Sequence, residues 1–314
     1  MTSAEGSGRT LSVVVPVYYN EGSLPLLFEE LLRTEKELAA KGLALELIFV
    51  DDGSGDGSFR VLLDLKARRP QTRVIKLTRN FGAVHASKTG FSFVSGDCFM
   101  ILAADLQDPP ALIVEMADRW LAGARYVVCA RADRKDPLST RLFAAAYYRL
   151  LRLIVMPDYP TGGYDLALMD RALLPFMVNS SKNINTPLFA YWLGFAPQVI
   201  PYQRRERAHG RSRWSFSKRV TFLIDSLVGF SIVPIRVISV LGLVVSLLSF
   251  AYGAWIATHA LLHRLDVRGF ATVVTLISFL LGLTISMLGI IGEYVWRIFD
   301  EVNKRPETVI EEIH

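Results

Sequence analysis

Carboxylates in this 314-residue chain recur where short apolar runs stop, positions at which side chains meet a ligand rather than a core. LSVVVPV is followed by Tyr18, Asn20, Glu21 and Ser23, LELIFV by Asp51, Asp52 and Ser54, and CFMILA by Asp105, Gln107 and Asp108. Asp105 and Gln107 offer hard oxygen atoms, the chemistry of a Mg2+ or Mn2+ site that keeps positions open for phosphate oxygens. An ion there would neutralise a diphosphate and stabilise it as a leaving group. Asp108 precedes Pro109-Pro110 and is expected to cap a helix that has Pro109 at its first position, which ranks it below Asp105 and Gln107 as a ligand. Asp51 and Asp52 would repel a pyrophosphate but suit a base N–H or a ribose hydroxyl. VDDGSGDGS lacks the G-x-G-x-x-G spacing and follows the second apolar run, which weighs against a nicotinamide-linked oxidoreductase. Asn20-Glu21-Gly22-Ser23 reads equally as a ligand edge or as a plain turn with a helix cap.

Such residues need a scaffold that brings strand ends together. The apolar runs alternate with amphipathic stretches at about Leu24–Ala40, Phe59–Arg68, Ala83–Val94 and Ala111–Leu121, and RVIKL and YVVCA complete the series. Strict alternation predicts an α/β domain, a mostly parallel sheet covered on both faces, with ligands beyond the carboxyl ends of its strands. Pro137–Tyr159 is expected to be a helix, and Gly162–Tyr202 an accessory extension of the same domain, which then spans residues 1–202. Cys98 and Cys129 lie in apolar runs and read as reduced and buried.

With 51% hydrophobic residues and a mean hydropathy of +0.32, the chain is more apolar than a soluble domain requires. The excess lies in Val237–Thr258 and Gly269–Gly292, which carry no charged side chain. As helices these runs reach roughly 33–36 Å, enough to cross a hydrocarbon core. Two spans, at about 237–259 and 269–293, joined by the short His259–Arg268 link, make a hairpin with both flanks on one side; buried helices of a soluble bundle are the rival reading. The net charge is +5, and Arg204, Arg205, Arg207, Arg211, Arg213, Lys218, Arg219 and Arg236 crowd before the first span. Arg297, Lys304 and Arg305 follow the second. The positive-inside rule places both termini and the α/β domain in the cytoplasm, and the N-terminus has no signal-peptide core. Residues 203–233 form the basic loop and an interfacial amphipathic helix near Ser217–Val233, and 297–314 a cytoplasmic tail. Beside a span, the basic cluster suits an anionic lipid head group rather than nucleic acid. Arg131, Arg134 and Arg141, with Arg211, Arg213 and Lys218, are guanidinium and ammonium groups suited to a lipid monophosphate at the bilayer surface; Arg134, Lys135 and Arg152 read better as solvated charges.

VVVPVYYNEGS, VDDGSGDGS, RNFGAVHASKTGF, LAADLQDPP and GRSRWS, in that order, resemble glycosyltransferase family 2. Within it the chain is similar to the polyprenyl-phosphate glycosyltransferases, which include bactoprenol glucosyltransferases and dolichyl-phosphate mannose synthases. The resemblance runs through the hairpin to GEYVWRIFDEVNKRP. It implies a GT-A, Rossmann-like domain followed by the interfacial helix and a two-helix transmembrane hairpin in the cytoplasmic (inner) membrane, assembled as a homo-oligomer. It also implies inverting transfer of a sugar, UDP-glucose being the favoured donor, to polyprenyl (undecaprenyl) phosphate with Mg2+ or Mn2+. Carried over by position, Pro16, Tyr18, Asn20, Glu21, Asp51, Asp52, Ser54 and Arg79 surround the nucleotide, and Asp105 and Gln107 hold the metal. Arg131 and Arg141 take the acceptor phosphate, Ser212 and Arg213 lie in a loop over the donor phosphates, and Asp165 is near the reaction centre or is a turn carboxylate after Gly162-Gly163. Relatives often read D-A-D-L-Q where this chain has Ala103, so a doubly acidic metal motif is absent. Two rivals remain: a polysaccharide synthase, although Arg213-Trp214 lacks the preceding Gln of a Q-x-x-R-W motif, and a non-catalytic lipid-phosphate-binding membrane protein with Ala103 marking lost activity.

Overall fold

A computed structural model describes residues 8–131, 138–159, 163–182, 185–205, 216–262, 269–303 and 305–314. The chain divides into two compact units, Met1–Ser226 with Pro306–His314, and Leu227–Arg305.

The first unit carries the expected alternation. Strands β1 (Arg9–Val17), β2 (Leu43–Asp51), β3 (Arg73–Leu77), β4 (Cys98–Ile101) and β5 (Tyr126–Arg131) are separated by helices α1 (Leu24–Ala39), α2 (Ser58–Arg68), α3 (Ala83–Phe91) and α4 (Leu112–Leu121). After α5 (Leu138–Ile154) come β6 (Leu166–Asp170), α6 (Leu174–Val178), α7 (Thr186–Trp192) and β7 (Gln198–Tyr202), and the chain ends in β8 (Ile310–Ile313). These strands form one sheet in the order β7-β5-β6-β4-β1-β2-β3-β8. Pairing is parallel except that β6 opposes β4 and β5, and β8 opposes β3. The stretch expected as an accessory extension thus supplies two strands of the main sheet, and the expected tail supplies a third.

The core follows the strand period of two. Val13, Val15 and Val17 face one layer with α1, α2 and α4, while Val14 faces the other with α3, α6 and α7. Helix α1 buries Leu24, Leu27, Phe28, Leu31 and Leu38 at helical spacing, and a buried side chain such as Phe28 contributes about 1.5–3 kcal/mol. Pro16 is tolerated one residue from the end of β1. Val14 accepts the Leu102 N–H, so alternate residues face β4, and the missing Pro16 N–H points past the last β4 pair, Val14 with Ile101. Cys98 and Cys129 are unpaired and buried, and burial pushes the Cys129 thiol up to about 12.

Two expected boundaries differ. Helix α3 stops at Phe91, and α5 gives way after Ile154 to turns that reach Tyr159. The expected Asp108 cap is also corrected: α4 begins at Leu112 with Ala111 at its cap, because Pro109 and Pro110 form a turn whose carbonyls accept the Leu112 and Ile113 N–H groups. Helix α8 (Phe216–Phe230) starts in the first unit, where Ser226 is fully buried against Tyr147 and Asn185.

The second unit is made of α9 (Val233–Leu262) and α10 (Phe270–Val302). Each contains a window long and apolar enough to cross a membrane, Val233–Trp255 with mean hydropathy 2.2 and Phe279–Val302 with 1.6, and neither window is buried. Leu243, Phe250, Ile277 and Phe279 are among their exposed apolar side chains.

Candidate active site

The topology gathers one edge of the sheet. β1 to β5 and β7 end there, while β6 and β8 run the other way and begin there. Residues 18–23, 51–58, 78–82, 102–108, 163–165, 203–205 and 306–309 therefore adjoin the same edge.

On the β1–β2–β3 side, most of the expected donor residues are tied to backbone. The Asp52 carboxylate accepts the Phe81 and Gly82 N–H groups at 2.7 and 2.9 Å, which fixes the start of α3. Gly53, at φ +66°, lies against the Arg79 backbone; a Cβ there would come within 2.5 Å of the Arg79 carbonyl carbon. The Arg79 guanidinium stacks on Phe81 at 4.0 Å. Ser54 Oγ accepts the Tyr19 N–H, Asn20 Oδ1 the Tyr18 N–H, and Glu21 Oε2 the Gly57 N–H. Ser23 Oγ donates to the Ala104 carbonyl at 2.7 Å and joins the β1 turn to the end of β4. Asp51 differs from its neighbour. It is closed to solvent, Oδ2 accepts the Ser54 N–H, and Oδ1 is buried without a partner. Burial raises its pKa, an effect the Ser54 hydrogen bonds only partly oppose. Oδ1 is thus an unused hydrogen-bond acceptor beneath the site edge.

At the end of β4, Leu106 adopts φ +61° and buries its side chain, which leaves Asp105 and Gln107 flanking it half-buried. Asp105 Oδ1 accepts the Gln107 N–H at 3.2 Å, and the Gln107 carbonyl accepts the Arg205 N–H at 2.9 Å. Tyr19 at φ +57° is the other non-glycine residue in this region among the described residues, so both such positions, each costing on the order of 1 kcal/mol, lie at the site edge. Among the described residues no three His, Cys, Asp or Glu side chains converge. Asp105 and Gln107 alone are a hard-oxygen pair that fits Mg2+ or Mn2+ where a bound diphosphate supplies further ligands.

Across the edge stands a charged group drawn from β4, β5, β6 and β7. Arg131 grips Asp165 with both arms of its fork, Nε at 2.6 Å and Nη2 at 2.7 Å. The Tyr202 hydroxyl lies 2.6 Å from Asp108 and 2.8 Å from Asp165, and its single proton serves one carboxylate at a time. Arg204 adds charge from the other side, its Nε 3.2 Å from Asp108 Oδ1 and its Nη1 3.9 Å from Asp165. The Arg204 Nε contact is too bent for a hydrogen bond, so that buried N–H is unsatisfied. Burial would raise the Asp165 pKa, but the hydrogen bonds and charge of Arg131, with Arg204 and Tyr202, hold it below the usual range. Asp108 goes the other way: burial outweighs Arg204 and Tyr202, and its pKa is raised. Burial and the two carboxylates also raise that of Tyr202.

The structure thus brings Asp51, Asp105, Gln107, Asp165 and Arg131 to one edge. The Arg141 side chain, Ser212 and Arg213 lie outside the described residues. Tyr202 and the role of Arg204 were not expected; their signal was the alternation in QVIPY, which makes Tyr202 the last residue of a sheet strand.

Known proteins complete this picture. The sequence profile of Glycosyl transferase family 2 matches residues 12–174, more than half of the chain. The chain belongs to this family. It is 33% identical over 306 residues to the SfII prophage-derived bactoprenol glucosyl transferase of Shigella flexneri, covering 97% of this chain and 98% of that protein. It is 30% identical to a prophage bactoprenol glucosyl transferase homolog of Escherichia coli K12, with 96% and 99% covered. Among solved structures, glucosyl-3-phosphoglycerate synthase from Mycobacterium tuberculosis, in complex with Mn2+, UDP and glucosyl-3-phosphoglycerate, superimposes with a TM-score of 0.50 at 20% identity, over 71% of this chain and 80% of that one. This glycosyltransferase therefore has the GT-A fold, followed by two apolar helices, and is an enzyme. Ala103 does not remove it from the family.

Proposed function

We propose that this family 2 enzyme transfers glucose from UDP-glucose to polyprenyl (undecaprenyl) phosphate at the cytoplasmic face of the inner membrane, inverting the anomeric carbon. The observation that carries the reading is that one chain joins fixed cations at the edge of the sheet, Arg131 and Arg204, to two helices long and apolar enough to cross a membrane. From Arg205, at the edge that holds Asp105 and Asp165, the chain runs on into α8 and α9, and it re-enters beside the first turns of α3 at Glu307. The names and full-length match of the bactoprenol glucosyl transferases support the same acceptor and sugar.

The chemistry needs no strong base. A phosphate monoester has a second pKa of about 6, so near neutral pH it is mostly a nucleophilic dianion. The task is to bring it against an anionic donor, and fixed cations lower that repulsion. Arg131 and Arg204 supply them here, joined by Arg141 and by Arg213 over the donor phosphates with Ser212. Asp165 holds the Arg131 fork and so orients it towards the acceptor phosphate. On the donor side, Asp51 accepts from the base, and Pro16, Tyr18, Asn20, Glu21, Asp52, Ser54 and Arg79 shape its pocket. A divalent ion held by Asp105, Gln107 and the diphosphate would neutralise the leaving group.

Residues on both sides of α9 and α10 belong to one globular unit. Two crossings return the chain to the side it left, and the basic flanks support the cytoplasm as that side. We propose further that the hairpins assemble as a homo-oligomer. Purified enzyme given undecaprenyl phosphate and a panel of nucleotide-sugars should form a lipid-linked sugar of inverted configuration, fastest from UDP-glucose, and Asp105→Ala should abolish it. Absence of lipid-linked product from every donor would overturn the reading.

A further inference from the structure

We propose that the C-terminal segment Pro306–His314 is a positioning element of the donor site, with Glu307 fixing α3 and, through it, the Asp52 turn beside Asp51. This rests on reading that edge as the nucleotide site. β8 adds itself to the free edge of β3, pairing Ile75 with Ile313, Lys76 with Glu312 and Leu77 with Ile310. Its backbone is joined at both ends: Val74 and His314 exchange N–H···O bonds of 3.0 and 2.8 Å, and Thr78 N–H donates to Val309 at 3.0 Å. Lys76 lies 3.1 Å from Glu311 and 3.5 Å from Glu312.

The decisive contacts precede the strand. Lys88 of α3 is 5% exposed, and its ammonium donates to Glu307 Oε1 at 2.7 Å and to the carbonyls of Ser180 and Ser181. His85 Nδ1 is 3.6 Å from the other Glu307 oxygen, and Thr308 shares a 2.7 Å hydrogen bond with Thr89. Three residues on one face of α3, His85 and, a turn later, Lys88 and Thr89, therefore meet two residues of the tail. The amino end of that helix is held by Asp52, whose own N–H donates to Val17. Tail, α3, Asp52 turn and Asp51 form one connected path of polar contacts.

The tail is held more by polar pairing than by burial. Val309, Ile310 and Ile313 are 37–54% exposed, so its release would leave the core of the sheet intact. Losing Glu307 would strip a buried ammonium of its carboxylate and leave it the Ser180 and Ser181 carbonyls, a loss that falls first on α3.

The test compares full-length wild type with Glu307→Ala, Glu307→Gln and Thr308→Val, and with a chain ending at Arg305. UDP and GDP binding in the presence of Mn2+ is measured by calorimetry, and amide exchange is followed at residues 82–91, at 310–313 and, as a core control, at 45–50. Glu307→Ala and the shortened chain should weaken nucleotide binding about tenfold, the loss of one charge-assisted hydrogen bond, and should speed exchange at 82–91 with 45–50 unchanged. Glu307→Gln, which keeps an acceptor for Lys88, should fall between, and the KM for undecaprenyl phosphate should not move. Nucleotide affinity and 82–91 exchange equal to wild type in Glu307→Ala would overturn the proposal, whether or not the shortened chain folds. If wild type binds neither nucleotide, the donor-site reading fails, and faster exchange at 82–91 still decides whether the tail positions α3.

Discussion

Tyr202 lies between the two carboxylates that burial and charge push in opposite directions, Asp108 upward and Asp165 downward. Removing its hydroxyl leaves both carboxylates without that donor and unscreened from each other. Tyr202→Phe should cost about 1–3 kcal/mol of stability, read by thermal unfolding, and should slow transfer more than it weakens nucleotide binding. Arg131→Lys should be nearly as damaging as Arg131→Ala, because a point ammonium cannot replace a fork that meets both Asp165 oxygens. The pH dependence has a definite sign. A carboxylate held below its ordinary value contributes stability that is fully present above about 3.9 and is lost as pH falls through the lower folded value. The Asp165–Arg131 pair is therefore intact throughout the neutral range. The rate should instead rise with pH through about 6, where the acceptor phosphate becomes a dianion, and then level off. A rate profile whose acid limb moves in Asp165→Asn would show that Asp165 itself titrates.

Helix α3 lies against β1 so closely that a Cβ on Gly90 would collide with Val14 and crowd Val50. Gly90→Ala should destabilise the enzyme by about 1–3 kcal/mol, measured by thermal unfolding, because neither valine can yield within the core. The alternation that places α3 was legible in the sequence, as were the strand ends bearing Asp51 and Asp105, because period-two runs such as LSVVVPV and helical repeats such as that of α1 are strong local signals. β7 and β8 were not legible. Their strands are short and largely exposed, QVIPY with two buried residues and IEEI with none, and each joins the sheet through a partner remote in sequence. Tyr202 was lost with its strand. Asp51 and Asp52 look alike in sequence, yet successive side chains point to opposite faces, so one holds the Phe81-Gly82 turn that leads into α3 while the other keeps an unpaired oxygen. Asp108 misled because an Asp-Pro-Pro string is also a helix start, and only the fold brings Tyr202 and Arg204 to it.

At the scale of the whole molecule, the chain leaves its globular unit after Ser226, traces two helices that expose apolar side chains, and returns at Pro306 to finish the sheet. That return was hidden in the sequence, where the last residues read as a tail. Because β8 pairs with β3, helices that crossed a bilayer would have to cross it an even number of times. The carboxylate-bearing turns and the Arg131–Asp165 group lie at one edge of the sheet, and on the proposed reading the enzyme should take nucleotide-sugar from the side on which its globular unit lies. Sealed vesicles of opposite orientation, prepared from cells that express the enzyme and supplied externally with labelled UDP-glucose, test this most directly. Label should enter the polyprenyl-phosphate fraction in inverted vesicles and not in right-side-out ones, and the Asp105→Ala control should show none. Label confined to water-soluble products in both preparations, or lipid labelling only in right-side-out vesicles, would contradict the account.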